Sequence, residues 1–201
     1  MTEKTEKTEK AEKAEKAEKS EKNERADGVG ARHAGPPSTS RRSVVVVDLD
    51  GTIADASRRE NQFLKGAKKD WDGFFRNMEN DPPIRPVLDH VLHLGHKHDI
   101  VILTGRPDRY RAVTEQWLRR QGVTYEALLM RRSGDTRPDF VAKEALLDEL
   151  GSRKIVLALD DRGPVCDAYR KRGIRCVQVA SDAANQLVNE TYRLMEEEAK
   201  R

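Results

Sequence analysis

Val44-Val45-Val46-Val47-Asp48-Leu49-Asp50-Gly51-Thr52 is the stretch from which the fold can be read. Four β-branched residues in a short unbroken apolar run suit the centre of a parallel sheet, buried on both faces. Side chains two apart on an extended strand point the same way, so Asp48 and Asp50 are expected to emerge together at its carboxyl end. Ligands of open α/β sheets bind at that end. Two carboxylates so placed repel each other and need a cation or a shared proton to be tolerated.

Beyond Thr52 the chain alternates helical and strand-like patterns. Ile84, Val87, Leu88, Val91 and Leu92 follow a helical period that Gly95 closes, and Ile100 to Leu103 reads as a second strand ending in Thr104-Gly105-Arg106-Pro107. A helix carrying Tyr110, Val113, Trp117 and Leu118 leads to a third strand, Tyr125 to Met130. A helix with Leu146, Leu147 and Leu150 on one face precedes a fourth strand, Ile155 to Leu159, which ends in Asp160-Asp161-Arg162. A short helix with Val165, Ala168 and Tyr169 is followed by a fifth strand, Ile174 to Val179, and residues 183–199 read as a last amphipathic helix. Strands separated by helices predict an α/β, Rossmann-like fold: a five-stranded parallel sheet with helices on both faces.

The 201 residues suit one core of moderate size, placed at 44–201. Residues 2–22 repeat Thr-Glu-Lys, Ala-Glu-Lys and Ser-Glu-Lys, and residues 26–43 are a Gly-, Ala-, Pro- and Ser-rich linker, so 1–43 is expected to be a solvated tail. Residues 1–25 hold eight Lys/Arg and eight Glu, so the net charge of +3 belongs to the rest, where Arg (22) far outnumbers Lys (8). That balance argues against non-specific coating of nucleic acid but leaves room for local phosphate-gripping arginines. There is no apolar run long enough for a membrane span and no signal peptide. Cys166 and Cys176 lack metal-ligand spacing, which fits free thiols and a cytoplasmic protein.

Reactive residue types recur at corresponding places: Asp48 and Asp50 after the first strand, Thr104 after the second, Asp160 and Asp161 after the fourth. Lys143 shares the inward face of Leu146 and Leu147, where a lysine needs a carboxylate or phosphate partner; alone it would read as a structural ion pair. This set resembles the haloacid dehalogenase (HAD) superfamily of phosphohydrolases over about residues 44–180. A closer likeness is to the 3′-phosphatase domain of phage-type polynucleotide kinase-phosphatases. It is carried by Gly105-Arg106, Gly134-Asp135-Thr136-Arg137 through Asp139 to Lys143, Asp160-Asp161-Arg162 and Cys176-Val177-Gln178-Val179-Ala180-Ser181.

The resemblance implies a magnesium-dependent phosphomonoester hydrolase that prepares nucleic-acid ends. Asp48 would be the nucleophile that forms an aspartyl phosphate, and Asp50 the acid and base, a role that a pKa raised by its charged neighbour would suit. Asp48, the Asp50 carbonyl, Asp160 and Asp161 would hold the ion, with Asp161 direct and Asp160 supporting, although spacing alone does not separate those two. Thr104, Gly105 and Lys143 would hold the phosphate, and Arg106 is the best candidate for a phosphate fork. Arg131, Arg132 and Arg137 form either a basic rim for a nucleic-acid backbone or a solvated loop paired with Asp135 and Asp139.

Residues 53–83 are a small cap-like insertion whose Phe63, Trp71, Phe74 and Phe75 are four of the ten aromatics. They suit either a self-packing flap or base stacking. His90, His93, His96 and His98 lack an acidic partner and are not expected to bind metal. The sequence has no Gly-x-x-x-x-Gly-Lys-Ser/Thr, so no kinase half is expected with it. The expected substrate is a phosphorylated nucleic-acid end; a free nucleotide or other small phosphomonoester, or a non-catalytic phosphate- or nucleic-acid-binding module, are the alternatives.

Overall fold

In the computed structural model residues 42–179 are described. The strands β1 (Val44–Val47), β2 (Asp99–Pro107), β3 (Ala127–Arg131), β4 (Ile155–Asp160) and β5 (Cys176–Gln178) form one sheet in the order β3-β2-β1-β4-β5. Every pairing is parallel. The four valines of β1 have no exposed surface. Their alternation divides the core: Val45 and Val47 pack with Val87, Leu88, Trp117 and Leu118, while Val44 and Val46 pack with Leu146, Leu147, Val165 and Tyr169. A strand apolar on both sides has helices on both sides, which is why an unbroken valine run can sit in the middle.

The helices are α1 (Ser57–Arg59), continued by a π-helical turn over Glu60–Leu64, α2 (Trp71–Arg76), α3 (Arg85–Leu94), α4 (Arg111–Arg120), α5 (Asp139–Leu147) and α6 (Gly163–Lys171). The first two lie in the insertion after β1; the other four cover the sheet. The second strand is longer than its apolar run, since β2 continues through Thr104, Gly105 and Arg106 to Pro107. Pairing with Met130 and Arg131 of β3 carries it past residues that read as a turn, with a register shift between Thr104 and Pro107. The charged tail up to residue 41 and the helix expected at 183–199 lie outside the described residues. Among the described residues, no helix is long and apolar enough to cross a membrane.

Candidate active site

Val47 is level with Ile102 of β2 and Leu159 of β4. Asp48, Thr104 and Asp160 are therefore brought to one rim of the sheet. Asp48 and Asp50, however, do not emerge together. The extended strand stops at Val47, and the Leu49 carbonyl accepts from the N–H groups of Thr52, Ile53 and Ala54 at 3.1, 3.0 and 2.9 Å. Beyond that tight turn the two carboxylates have different partners, Asp48 in a first cluster and Asp50 in a second.

In the first pocket Lys143 Nζ lies 2.8 Å from Asp48 Oδ1, 2.7 Å from Asp160 Oδ2 and 3.6 Å from Asp139 Oδ2. The inward face of α5 that buries Leu146 and Leu147 also buries Lys143. Burial favours the neutral amine, but Asp48, Asp160 and Asp139 outweigh it and hold the lysine above its ordinary pKa. Asp48 moves up as well: burial raises it, Lys143 opposes, and Asp160 and Asp161 add to the rise.

Asp160 is fully engaged, since its Oδ1 accepts from Arg162 N at 3.0 Å while Oδ2 takes the lysine. Asp161 differs. Its Oδ1 is buried without a hydrogen-bond partner, and burial together with Asp160 pushes its carboxyl up to about 6. Carboxylate oxygens of Asp48, Asp160 and Asp161 lie within 4.8 Å of one another, and among the described residues these are the one group placed to hold a metal ion. An all-oxygen set with one orphaned oxygen fits a hard divalent cation such as magnesium. The histidines form no such group among the described residues.

Two glycines make the approach possible. Gly51 has φ +84°, and a Cβ there would overlap the Asp161 carboxylate. A Cβ on Gly105 would meet Asp139 Oδ1, which leaves Gly105 as the space for Asp139 beside Lys143. Thr104 is buried, with Oγ1 accepting from Arg106 N at 3.2 Å.

The second pocket corrects two expectations. Arg106 grips Asp50, with Nε 3.0 Å from Oδ2 and Nη2 2.6 Å from Oδ1, and it has no exposed surface. Placement next to Thr104 suggested a free phosphate fork, but the long side chain turns to the nearest buried carboxylate instead. Only Nη1 is left, buried and without a partner. Arg59 reaches the same Asp50 Oδ1 at 2.6 Å, chelates the buried Asp81 through Nε at 2.8 Å, and donates to the Phe74 carbonyl at 3.0 Å. Burial would raise the Asp50 pKa; the Arg106 and Arg59 guanidiniums win and lower it to about 2. The expected rise is thus reversed, and the Asp50 carboxylate stays outside the three-carboxylate group.

Arg59 and Asp81 were not singled out in the sequence. An arginine in a polar insertion has no periodicity to mark it as buried, and its neighbour Arg58 is exposed. Asp139 was legible in principle, because it stands four residues before Lys143 on one helical face.

The rim of arginines is mostly spent internally. Arg131 binds Asp139 at 2.6 Å and the Arg137 carbonyl at 2.8 Å, and Arg137 is fastened to Asp135 at 2.7 Å. The polar loop turns back on itself, so its charges meet close by; Arg132 stays exposed. In the insertion, Phe74 is buried beneath Arg59, with the guanidinium 4.1 Å from its ring centroid.

A family model for the polynucleotide kinase PNKP phosphatase domain matches residues 42–184. Among solved structures, a chain of the Pnkp1/Rnl/Hen1 RNA repair complex is 28% identical with a TM-score of 0.58, covering 75% of this chain and 47% of that one. A chain of a second Pnkp1/Rnl/Hen1 complex is 27% identical with a TM-score of 0.59, covering 76% and 50%. The protein thus spans about half the length of the chains it matches there. The putative HAD-hydrolase YfnB from Bacillus subtilis, in a structure bound to magnesium, shares the fold at 13% identity and a TM-score of 0.53, over 71% of this chain and 91% of its own. The family match spans the whole described domain, both pockets included, and the chain belongs to the polynucleotide kinase PNKP phosphatase family of HAD-type phosphatases.

Proposed function

We propose that the domain is a magnesium-dependent polynucleotide 3′-phosphatase that works through an aspartyl phosphate and prepares nucleic-acid ends for repair. The observation that carries the mechanism is the separation of the two carboxylates, Asp48 beside Lys143 and the Asp160-Asp161 pair, Asp50 between two buried guanidiniums.

Asp48 attacks phosphorus, the bond from phosphorus to the 3′-oxygen breaks, and the leaving oxygen takes a proton carried by Asp50. Water then attacks the aspartyl phosphate, gives its proton to Asp50, and releases inorganic phosphate while restoring Asp48. At rest Asp50 is ionised, as its pKa of about 2 requires. A phosphate monoanion arriving beside Arg59 and Arg106 competes for their N–H donors, raises the Asp50 pKa and passes Asp50 its proton, which the leaving 3′-oxygen then takes. Arg106 Nη1 is a spare donor for a phosphate oxygen. Lys143 and Thr104 hold non-bridging oxygens and offset charge in the transition state.

Asp48 and Asp161 would hold magnesium, supported by Asp160 and the Asp50 carbonyl, and the ion would draw the anionic nucleophile and the anionic phosphate together. The polynucleotide substrate is supported by the family match and by the likeness to chains of an RNA repair complex. The test is phosphate release from a 3′-phosphorylated oligonucleotide against nucleoside monophosphates, with and without magnesium. Preference for the oligonucleotide, lost with chelator, is expected; equal or better turnover of the monophosphates overturns the polynucleotide substrate.

A further inference from the structure

The insertion sends its aromatic side chains in two directions. Phe74 is buried against Arg59, and Phe63 lies against the backbone of Gly73, where a Cβ would meet its ring. Trp71 faces out, 48% exposed, one of two large apolar side chains left open among the described residues.

Its ring is nonetheless held in place. Phe74 meets it edge-on at 5.9 Å and Phe75 stacks near it at 6.1 Å, while Phe75 packs on Tyr110 at 5.8 Å. Asp70 caps α2 through Gly73 N at 2.8 Å. The Tyr110 hydroxyl donates to Asp72 at 2.7 Å, and Asp72 also pairs with Arg109 and Arg76. Both acidic neighbours of Trp71 are thereby used within the fold. Lys69 Nζ stands over the indole ring, 5.8 Å from its centroid, and Lys65 and Lys68 are exposed in the same loop.

A chain of contacts through buried side chains links the platform to Asp50. Asp50, Arg59, Phe74 and Trp71 follow one another at 2.6, 4.1 and 5.9 Å. We propose that the exposed Trp71 ring stacks on a base of a single-stranded polynucleotide whose 3′-phosphate enters the site, with Lys69 moving off the ring to the backbone of that strand. This rests on the polynucleotide reading above. A pre-set aromatic face ringed by cations suits a base and its phosphates. One ring is far too little apolar area for a stable protein interface.

The full chain is assayed on a 3′-phosphorylated single-stranded oligonucleotide and on phenyl phosphate, which has no base. Trp71→Ala is expected to lower kcat/KM for the oligonucleotide about tenfold, through KM, and to lower its ratio to phenyl phosphate by the same factor. Trp71→Phe recovers most of the loss. Binding without turnover is read with the 3′-hydroxyl oligonucleotide, which should quench tryptophan fluorescence; Trp117 is buried, so the signal is that of Trp71. A wild type active on the oligonucleotide, with Trp71→Ala indifferent and no quenching, overturns the stacking alone. A wild type that hydrolyses phenyl phosphate but neither hydrolyses nor binds the oligonucleotide overturns the polynucleotide reading and this proposal together.

Discussion

Asp48 and Asp50 are two residues apart and both largely buried, yet their surroundings are opposite. Around Asp50, two carboxylates (Asp50 and Asp81) face two guanidiniums (Arg59 and Arg106), and the charges balance. Around Asp48, four carboxylates (Asp48, Asp139, Asp160 and Asp161) meet the ammonium of Lys143, with Arg131 and Arg162 pairing with Asp139 at the margin. Four negative charges against three positive leave an excess of negative charge, and Asp161 Oδ1 is left without a partner. The first group carries excess negative charge, and the second is balanced in charge. A motif that reads as a symmetric pair of acids is therefore built into two different electrostatic surroundings, the difference on which the proposed division of roles between Asp48 and Asp50 rests.

Replacing each acid by its amide gives the widest separation. Asp48→Asn is expected to cut phosphate release by at least about a thousandfold, since the amide cannot attack phosphorus. It should also melt no lower than the metal-free wild type, because it relieves the excess of negative charge. Asp50→Asn also loses activity, but melts lower, having left two buried guanidiniums short of a partner. Equal melting shifts in the two variants would erase the distinction between the pockets. Next in size is Arg59→Met. Asp81 is then left buried with Arg106 at 3.8 Å as its remaining cationic neighbour, and a loss of about 3–5 kcal/mol in urea unfolding is expected. A loss under about 1 kcal/mol would mean that the second pocket is not held together by charge.

These pockets also mark how far the sequence could be read. β1 and the parallel sheet were legible because four valines satisfy both faces at once, and Lys143 because Leu146 and Leu147 fix which way its helix face points. The partners of Asp50 were not. Arg59 arrives from an insertion without apolar periodicity, and Asp81 from the turn Asn80-Asp81-Pro82-Pro83, where an acid ordinarily caps or solvates. Arg106 was visible but its pairing with Asp50 was not, because adjacency to Thr104 says nothing about which carboxylate a long side chain will find. The divergence of Asp48 from Asp50 depends on three amides turning onto one Leu49 carbonyl, a local geometry that a period-two rule passes over.

The turn itself supplies a smaller test. Gly51→Ala places a side chain at a positive φ, costing about 1–2 kcal/mol in stability, and displaces the Asp161 carboxylate. The magnesium concentration for half-maximal activity is expected to rise, whereas the Asp50 pocket, on the other branch of the turn, keeps its ion pairs. Unchanged magnesium dependence would indicate that Asp161 is not drawn close for the ion's sake.

The smallest effect concerns pH in the metal-free protein, and its sign separates the pockets. Asp161 is pushed up to about 6 by burial and by Asp160, so between about 4 and 6 the folded state binds more protons than the unfolded chain. Stability must then fall as pH rises through that window, by on the order of 1 kcal/mol after allowance for partial exposure. Asp50 has the reverse sign: with its pKa lowered to about 2, its contribution is present above about pH 4 and is lost only as pH falls toward 2. Thermal melts from pH 4 to 7 in chelator should show the downward slope, Asp161→Asn should flatten it, and magnesium at pH 7 should raise the melting temperature of the wild type far more than that of Asp161→Asn. A slope that survives Asp161→Asn would place the uncompensated charge elsewhere among the three carboxylates, with Asp48 next in line because burial raises its pKa as well.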